Sequence, residues 1–323
     1  MRLIADLTEL GGAGMALTVL GRDPPPPAAA PGLVQVGVWR GGPLLGAALE
    51  PFDVLLSHDP NAPAPFVGIA QDRLDAAVDD LHAAVARQPV AAAVCGQVFR
   101  MTLDVPFENA LTLESLAYSM LLGAEGFRAW RGANAARPLG DASGPRVTME
   151  VGAEIAIRLT RSERRNAFDA RMRDELTEAL AFALAHPDAP AVVLSAEGPC
   201  FSAGGDLDEF GTAADRGCAH LIRTLRSPAR LAGALGDRLQ VRLHGACVGA
   251  GIEVPAAAAR VVADSGAHFR LPEVSMGLIP GAGGTATIAR RIGRQRACYM
   301  ALSGANIDLA TALSWGLVDE VAV

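Results

Sequence analysis

The feature that most constrains the fold is the alternation of short apolar runs with helical patterns after residue 146. The apolar runs have the length of buried strands, and the segments between them repeat apolar residues at helical spacing. Strands are predicted at Ile155–Leu159, Ala191–Ser195, Leu239–Leu243 and Arg260–Asp264, and helices at Met172–Ala185 and Thr285–Leu302. This alternation predicts an α/β layer architecture.

The first 140 residues follow a different pattern, and we expect an additional N-terminal region with helices over 71–132. A strand is predicted at Phe52–Pro60, and a helix begins at Gln71 and is ended by Pro89. A second helix is predicted at Pro106–Leu122, with one apolar face formed by Leu111, Leu116, Met120 and Leu121. The stretch 131–146 is rich in Gly, Pro, Ala and Asp, so it divides the chain into regions 1–140 and 146–323.

Composition excludes several kinds of protein and site. All 28 basic residues are arginine, which excludes a Schiff-base lysine, a P-loop lysine and a Ser-Lys dyad. The net charge of −7 argues against a nucleic-acid partner. The five cysteines form no C-x-x-C pair, which argues against a metal site or a disulfide framework and favours a reducing cytoplasm. Asp6 and Glu9 interrupt any signal-peptide core, and no apolar run is long enough to span a membrane.

Two loops of small residues follow predicted strands. They are Phe201–Leu207 (FSAGGDL) and His244–Glu253 (HGACVGAGIE). Small residues let a ligand approach the backbone closely, and two N–H groups from separate loops can form an oxyanion hole for a carbonyl oxygen. A helix that opens near Ala250 would add its dipole there and would carry Glu253 in its first turn. Pro255 supports this start, because proline is tolerated only near the beginning of a helix.

A third glycine-rich stretch allows a different interpretation. The segment Gly281–Ala286 (GAGGTA) matches a dinucleotide-binding pattern. However, no clean strand precedes it, and no acidic residue lies about twenty positions further on to bind a ribose hydroxyl. An NAD-dependent enzyme is therefore the weaker hypothesis, and we expect no cofactor.

Five motifs in order resemble the crotonase superfamily of enoyl-CoA hydratases and isomerases. They are LTRSERRNAFD, FSAGGDLDEF, HGACVGAGIE, FRLPEVSMGLIPGAGGT and GLVDEV, spread over residues 146–323. The resemblance implies a spiral core of ββα units, an acyl-CoA substrate and a homo-oligomer, either a trimer or a hexamer. It implies no cofactor, since coenzyme A enters as part of the substrate.

The resemblance also implies roles for individual residues. The oxyanion-hole N–H groups fall on Gly205 and Ala250, and two catalytic glutamates fall on Glu253 and Glu273. Both acids are present, which favours hydratase (lyase) chemistry, with Glu273 protonating C2 of a 2-enoyl-CoA and Glu253 orienting water. The residues implied in coenzyme A binding are Arg165, Ala167, Ala203, Gly205, Asp206, Leu207, Asp208 and Ala250.

Other interpretations remain open at this point. The same oxyanion hole serves isomerases, decarboxylases and hydrolases, and a non-catalytic acyl-CoA-binding subunit would keep the fold without the chemistry. Taken by itself, Glu253 fits a residue at a helix N-terminus that is favoured by the helix dipole. Taken by itself, Glu273 fits an exposed turn residue after Pro272. Cys247 is expected to pack and His244 to shape a turn. The arginines at 290, 291, 294 and 296 are expected to form an outward-facing surface, which is also able to meet phosphates.

The chain departs from the family after GLVDEV, where a helical tail is expected. The segment 71–132, and PFENALTLESLAYSMLLGAEGFRAW in particular, resembles that tail. We therefore expect that helices from the N-terminal region take the place of the tail, through a circular permutation or the fusion of a degenerate copy.

Overall fold

The computed structural model describes residues 12–24, 26–42, 44, 48–137 and 144–322. The segment used to exclude a signal peptide lies largely outside these residues, and so do residues 138–143 of the predicted boundary. Among the described helices, none combines the length and apolar character needed to cross a membrane.

The N-terminal region contains a parallel sheet as well as the predicted helices. The strands are β1 (Gly14–Leu20), β2 (Leu33–Trp39), β3 (Val54–Ser57) and β4 (Val67–Gly68), hydrogen-bonded in that order within the described residues. The expectation of a helical region with one strand was therefore incomplete. Strand β2 is buried on both faces from Val34 to Val38, as is typical of parallel strands, and even the polar Gln35 is buried there.

Four helices follow this sheet: α1 (Leu74–Arg87), α2 (Pro89–Thr102), α3 (Phe107–Leu121) and α4 (Glu125–Ala133). Pro89 does not only end α1, as predicted, but also occupies the first position of α2. Proline fits there because the first N–H of a helix has no intrahelical partner.

The buried face of α3 differs from the prediction. Leu111 and Leu121 are buried, but Leu116 and Met120 are 53% and 58% exposed. The predicted face was wrong because α3 borders a cavity, and the residues turned towards the protein there are largely polar: Glu114, Ser115, Tyr118 and Ser119.

The second half follows the predicted α/β alternation. Its elements are β5 (Val147–Val151), β6 (Glu154–Leu159), α5 (Ala170–Ala185), β7 (Ala191–Ala196), α6 (Arg216–Leu225), α7 (Pro228–Leu235), β8 (Leu239–Leu243), β9 (Ala246–Val248), α8 (Ala250–Glu253), β10 (Arg260–Ala263), β11 (His268–Arg270), α9 (Gly284–Ile292), α10 (Arg294–Ser303), β12 (Ile307–Asp308), α11 (Leu309–Trp315) and β13 (Glu320–Val321). In the described residues, one sheet has the order β13-β10-β8-β7-β6-β5, and a smaller one has the order β12-β11-β9.

The helix predicted at Thr285–Leu302 is two helices. Gly293, with φ of 82°, ends α9 and precedes α10. The expectation that the four arginines face outward was partly wrong, because Arg296 is only 6% exposed. Its guanidinium donates to the carbonyls of Phe66 and Ala62, at 2.9 and 3.2 Å, and so binds the N-terminal region.

The N-terminal helices pack directly against the second half. Helix α2 contacts α9 and α10, and α3 contacts α6 and α9. One continuous apolar core contains side chains from both halves, from Val34 of β2 to Val318. Helix α3 is thus part of the wall around the loops that follow the strands of the main sheet, and α2 packs behind it on α9 and α10.

Candidate active site

A cavity of about 510 Å³ lies between α3, α6 and the loops that follow β7 and β9. Its volume is within the range of small-molecule sites. Its wall contains Gly205, Ala250, Glu253 and Glu273, the four residues singled out for chemistry by the sequence. The structure therefore brings residues from three separate motifs to one place.

The two loops of small residues run side by side at this cavity. Ser202 N donates to Ala246 O at 3.1 Å, and Val248 N donates to Ser202 O at 3.0 Å. The close approach requires glycine, because a Cβ added at Gly204 would lie 2.9 Å from Val248 O. Backbone pairing thus fixes Gly205 and Ala250 relative to each other.

The N–H groups of Gly205 and Ala250 are both without an acceptor in the described part of the chain. Asp206 N donates to Phe168 O at 2.8 Å, and this pairing turns the neighbouring N–H of Gly205 to the other side. Ala250 is the first residue of α8, where an N–H has no intrahelical partner. Two free donors at the wall of one cavity form an arrangement able to bind a carbonyl oxygen.

Glu253 is held by the glycine-rich loop at 281–284. Its side chain is 2% exposed, and its Oε2 accepts hydrogen bonds from Ala282 N at 2.8 Å and Gly284 N at 2.9 Å. Burial raises the pKa of Glu253 to about 7, against the lowering effect of these N–H groups. The carboxyl is therefore fixed in place and able to exchange a proton near neutral pH.

Glu273 lies on a 3₁₀ turn, Glu273–Met276, and is 7% exposed, so the interpretation as an exposed turn residue was wrong. Its Oε2 is buried without a hydrogen-bond partner in the described residues. Burial, followed by the nearby Glu253, raises the pKa of Glu273 well above its usual value. An unpartnered carboxyl oxygen at a cavity is free to bind a ligand or water.

The carboxyl groups of Glu253 and Glu273 flank Gly249. A Cβ added at Gly249 would lie 2.4 Å from Oε1 of Glu273 and 3.7 Å from Oε1 of Glu253. The glycine has φ of 49°, which also suits it to the turn into α8. The absence of a side chain at this position leaves room for both carboxyl groups.

A third buried carboxyl group, from Glu114 on α3, was not identified from the sequence. Its Oε1 accepts from Gly283 N at 2.7 Å, and its Oε2 accepts from Thr285 N at 2.8 Å and Thr285 Oγ1 at 2.7 Å. Burial and the proximity of Glu253 raise the pKa of Glu114 to about 8. The available signal was an acid inside an otherwise apolar helical segment, LTLESLAY.

The dinucleotide interpretation of the loop Gly281–Ala286 does not fit these contacts. The N–H groups of residues 282–285, which would cradle a pyrophosphate, are all bound to Glu253 or Glu114. The loop therefore binds two carboxyl groups of the protein itself.

The residues expected to contact coenzyme A are only partly brought together. Gly205, Asp206 and Ala250 line the cavity. Ala203 N donates to Arg165 O at 2.9 Å, which attaches the turn at 165–167 to the loop. The residues outside the cavity lining are Arg165, Ala167, Ala203, Leu207 and Asp208.

The side chains of Asp206 and Asp208 are buried and turned towards arginines. Asp206 lies 2.8 Å from Arg161, and Asp208 lies 2.7 Å from Arg164 and 3.2 Å from Arg137. These ion pairs fix the loop, so it presents mainly its backbone to a ligand.

Two other residues discussed from the sequence have structural contacts. Cys247 is fully buried in the core, and His244 Nε2 lies 3.0 Å from Gly198 O in the turn. Neither lines the cavity.

Comparisons with known proteins point to one family. A family model described as enoyl-CoA hydratase/isomerase matches residues 151–323. A mevalonyl-coenzyme A hydratase of Beauveria bassiana is 32% identical over 52% of this chain and 62% of its own. A 2,3-dehydroadipyl-CoA hydratase of Escherichia coli is 33% identical over 52% of this chain and 65% of its own. The chain thus spans somewhat less than two thirds of these curated relatives.

The fold comparison covers the same half of the chain. The crystal structure of an enoyl-CoA hydratase subunit from Geobacillus kaustophilus superimposes with a TM-score of 0.51 at 26% identity. The match covers 56% of this chain and 70% of that one. The likeness supports the same α/β fold, and somewhat less than half of this chain lies outside the match.

Proposed function

The chain belongs to the enoyl-CoA hydratase/isomerase family and has its crotonase-like α/β fold in the second half, and we propose that it adds water across the C2=C3 bond of a 2-enoyl-CoA. The observation that carries the proposal is the pair of buried acids, Glu253 and Glu273, on either side of Gly249. They share a cavity wall with the free N–H groups of Gly205 and Ala250. The names of the two relatives as acyl-CoA hydratases support the same reaction.

The two N–H groups supply the electrophilic part of the reaction. The thioester carbonyl oxygen accepts hydrogen bonds from Gly205 and Ala250, which draws electron density away from C3. As water adds, negative charge collects on this oxygen, and fixed donors stabilise it more than the neutral carbonyl. A single donor of this kind contributes about 2.7–4 kcal/mol to the transition state.

The two acids supply the proton transfers. The water oxygen bonds to C3 while Glu253 accepts its proton, and Glu273 delivers a proton to C2 of the enolate. The hydrogen bonds from Ala282 and Gly284 favour the ionised form of Glu253. Burial, and after it the nearby Glu253, raises the pKa of Glu273 well above its usual value, which favours the protonated form that a proton donor needs. These steps yield one 3-hydroxyacyl-CoA and leave Glu253 protonated and Glu273 ionised.

The test follows the absorbance of the conjugated enoyl-thioester with crotonyl-CoA as the substrate. Glu253→Gln and Glu273→Gln should each lower kcat by about 10²–10⁴-fold, the usual contribution of general acid–base catalysis. Glu150→Gln, an exposed acid on β5, is the matched control and should leave the rate unchanged. Binding of the thioester without turnover would instead indicate a binding subunit, and a product that keeps a shifted double bond would indicate an isomerase.

The quaternary structure and compartment stay predictions. A trimer or hexamer is expected from the family resemblance, and a cytoplasmic location from the five cysteines without a C-x-x-C pair. The replacement of the family's helical tail by 71–132 is likewise a proposal, supported by the contacts of α2 and α3 with α9.

A further inference from the structure

One arginine of the cavity wall, Arg223, differs from the others because no carboxylate of the described residues is paired with it. Four arginines line the wall, and three have a carboxylate within 4.0 Å. The pairs are Arg173 with Asp174 at 2.8 Å, Arg226 with Glu178 at 3.1 Å and Arg230 with Glu108 at 4.0 Å. For Arg223, the fourth, no carboxylate lies within this distance among the described residues.

The partners of Arg223 are neutral groups of α3. Its Nη1 donates to Ser115 Oγ at 2.9 Å and to Ser119 Oγ at 3.0 Å. Its guanidinium lies 4.6 Å from the ring centroid of Tyr118. Nε and Nη2 donate to no acceptor in the described part of the chain, and neither is sealed from solvent. The guanidinium thus has unused donors at the cavity.

The other acids of the cavity lie more than 4.0 Å from the nitrogens of Arg223, and the following ones have partners of their own. Asp169 and Asp206 are paired with other arginines, at 2.9 and 2.8 Å. Asp215 accepts from the first N–H groups of α6, and Glu209 accepts from Ala170 N. Glu114, which is on the same helix as the serines, is bound to Gly283 and Thr285, and its raised pKa keeps it largely protonated at neutral pH. Burial lowers the pKa of Arg223, so a counter-ion would relieve a real cost.

Arg223 is connected to the reacting groups through Tyr118 and the loop that follows Gly281. The ring of Tyr118, which it contacts, borders Gly281, where an added Cβ would lie 2.5 Å from the ring. Gly281 begins the loop that holds Glu253. The wall near Arg223 includes the apolar side chains of Leu111 and Ile222, which suit a short carbon chain.

We propose that Arg223 binds a carboxylate at the far end of the acyl group, so that the substrate is the coenzyme A monothioester of an unsaturated dicarboxylic acid. This inference rests on the proposed function for the reaction, but the anion site itself does not depend on turnover. A guanidinium binds a carboxylate through two parallel N–H···O bonds, and Nε with Nη2, the donors of Arg223 left unused in the described residues, form one of the two edges able to do so.

The test compares the binding of adipyl-CoA and of its methyl ester, which differ only in the distal charge, by calorimetry. The wild type should bind the free acid at least about tenfold more tightly, the factor that corresponds to 1.4 kcal/mol. In Arg223→Gln this preference should fall to about one, as expected from the loss of a charge-assisted hydrogen bond. Arg226→Gln is the matched control and should keep the preference.

Two further measurements separate the carboxylate site from a structural role of Arg223 and from a phosphate contact. If Arg223→Gln is unstable, Arg223→Lys keeps the charge and should keep the preference in weaker form. Equal binding of acid and ester by the wild type, with both weakened alike in Arg223→Gln, would overturn the proposal in favour of a contact with coenzyme A phosphates. Hydration of 2-hexenedioyl-CoA is then measured separately. If the protein binds adipyl-CoA more tightly than the ester but does not hydrate 2-hexenedioyl-CoA, only the proposed reaction is contradicted. If it hydrates 2-hexenedioyl-CoA but binds acid and ester equally, only the carboxylate site is contradicted.

Discussion

At the scale of single residues, the site depends on a position without a side chain. Gly249→Ala should abolish activity, because the added Cβ would lie 2.4 Å from Oε1 of Glu273 and displace it. Gly236 has nearly the same backbone angles, φ 55° and ψ −134° against 49° and −123°, with no atom near an added Cβ. Gly236→Ala therefore has similar backbone strain and should lower stability but keep activity. An equal loss of activity in Gly249→Ala and Gly236→Ala would mean that backbone strain, and not the displacement of Glu273, is responsible.

Glu114 should make the stability of the protein depend on pH. Its pKa is raised from 4.5 to about 8 in the folded state. The stabilisation linked to its proton is thus fully present below about 4.5 and is lost as the pH rises through about 8.

Glu114→Gln removes this titration and should flatten the decline in the urea midpoint between about pH 5 and about pH 9. Glu108→Gln, an acid on the same helix that is 62% exposed, should follow the wild type. Parallel curves for Glu114→Gln and the wild type would show that Glu114 does not carry the dependence.

Of the three glutamates buried in the described residues, the sequence predicted two, because they belong to motifs that resemble a known family. Glu253 and Glu273 belong to such motifs. Glu114 is on a helix, and its partners, Gly283 and Thr285, are 169 and 171 residues away. Local patterns carry no information on such a pairing, and an apolar stripe that included Leu116 was the simpler prediction. Arg223 was missed for the same reason.

At the scale of elements, the N-terminal sheet is attached to α2 by a buried ion pair. Arg100 donates to both oxygens of Asp53, at 2.8 and 2.5 Å, and Asp53 is fully buried. Arg100→Met should therefore lower the free energy of unfolding by about 3–5 kcal/mol, because it leaves an uncompensated buried charge.

The control is Arg40→Met, which breaks a pair with Asp75 in which both side chains are largely exposed. Such pairs contribute at most about 1 kcal/mol. Chemical denaturation measures both variants, and a similar small effect for Arg100→Met would show that Asp53 finds other partners or is protonated.

The ends of elements were the least predictable part of the fold. Pro89 was expected to end one helix, and it also begins the next. Gly293 was placed inside a helix, but it separates α9 from α10. Proline and glycine each suit two local structures, and the tertiary contacts of the neighbouring residues decide between them. Four strands of the second half, β6, β7, β8 and β10, were predictable because each is a short run of mainly apolar residues, whereas the other strands there are too short or too polar to stand out.

At the scale of the whole molecule, the two halves should be inseparable. Helix α3 supplies Glu114 and Tyr118 to the cavity wall, and α2 covers α9. A chain of residues 146–323 alone should therefore expose apolar surface and be insoluble or inactive, as judged by sedimentation and hydratase assay. The control is the full chain with a protease site inserted after Arg137 and cut after folding, which should stay assembled. A soluble, active truncation would contradict this expectation.

The hydrogen bonds between Glu114 and the loop at 283–285 can form only late in translation. The helix leaves the ribosome first, and the residues that bind its carboxyl group follow after 169 further codons. At the usual rate of translation this takes roughly ten to thirty seconds. During that interval the nascent chain exposes Glu114 and the buried face of α3, because the residues that pack against them have not yet been synthesised. Synthesis in the cell should consequently need chaperone protection of the first half, and slow codons between the two halves should lower the yield of soluble protein.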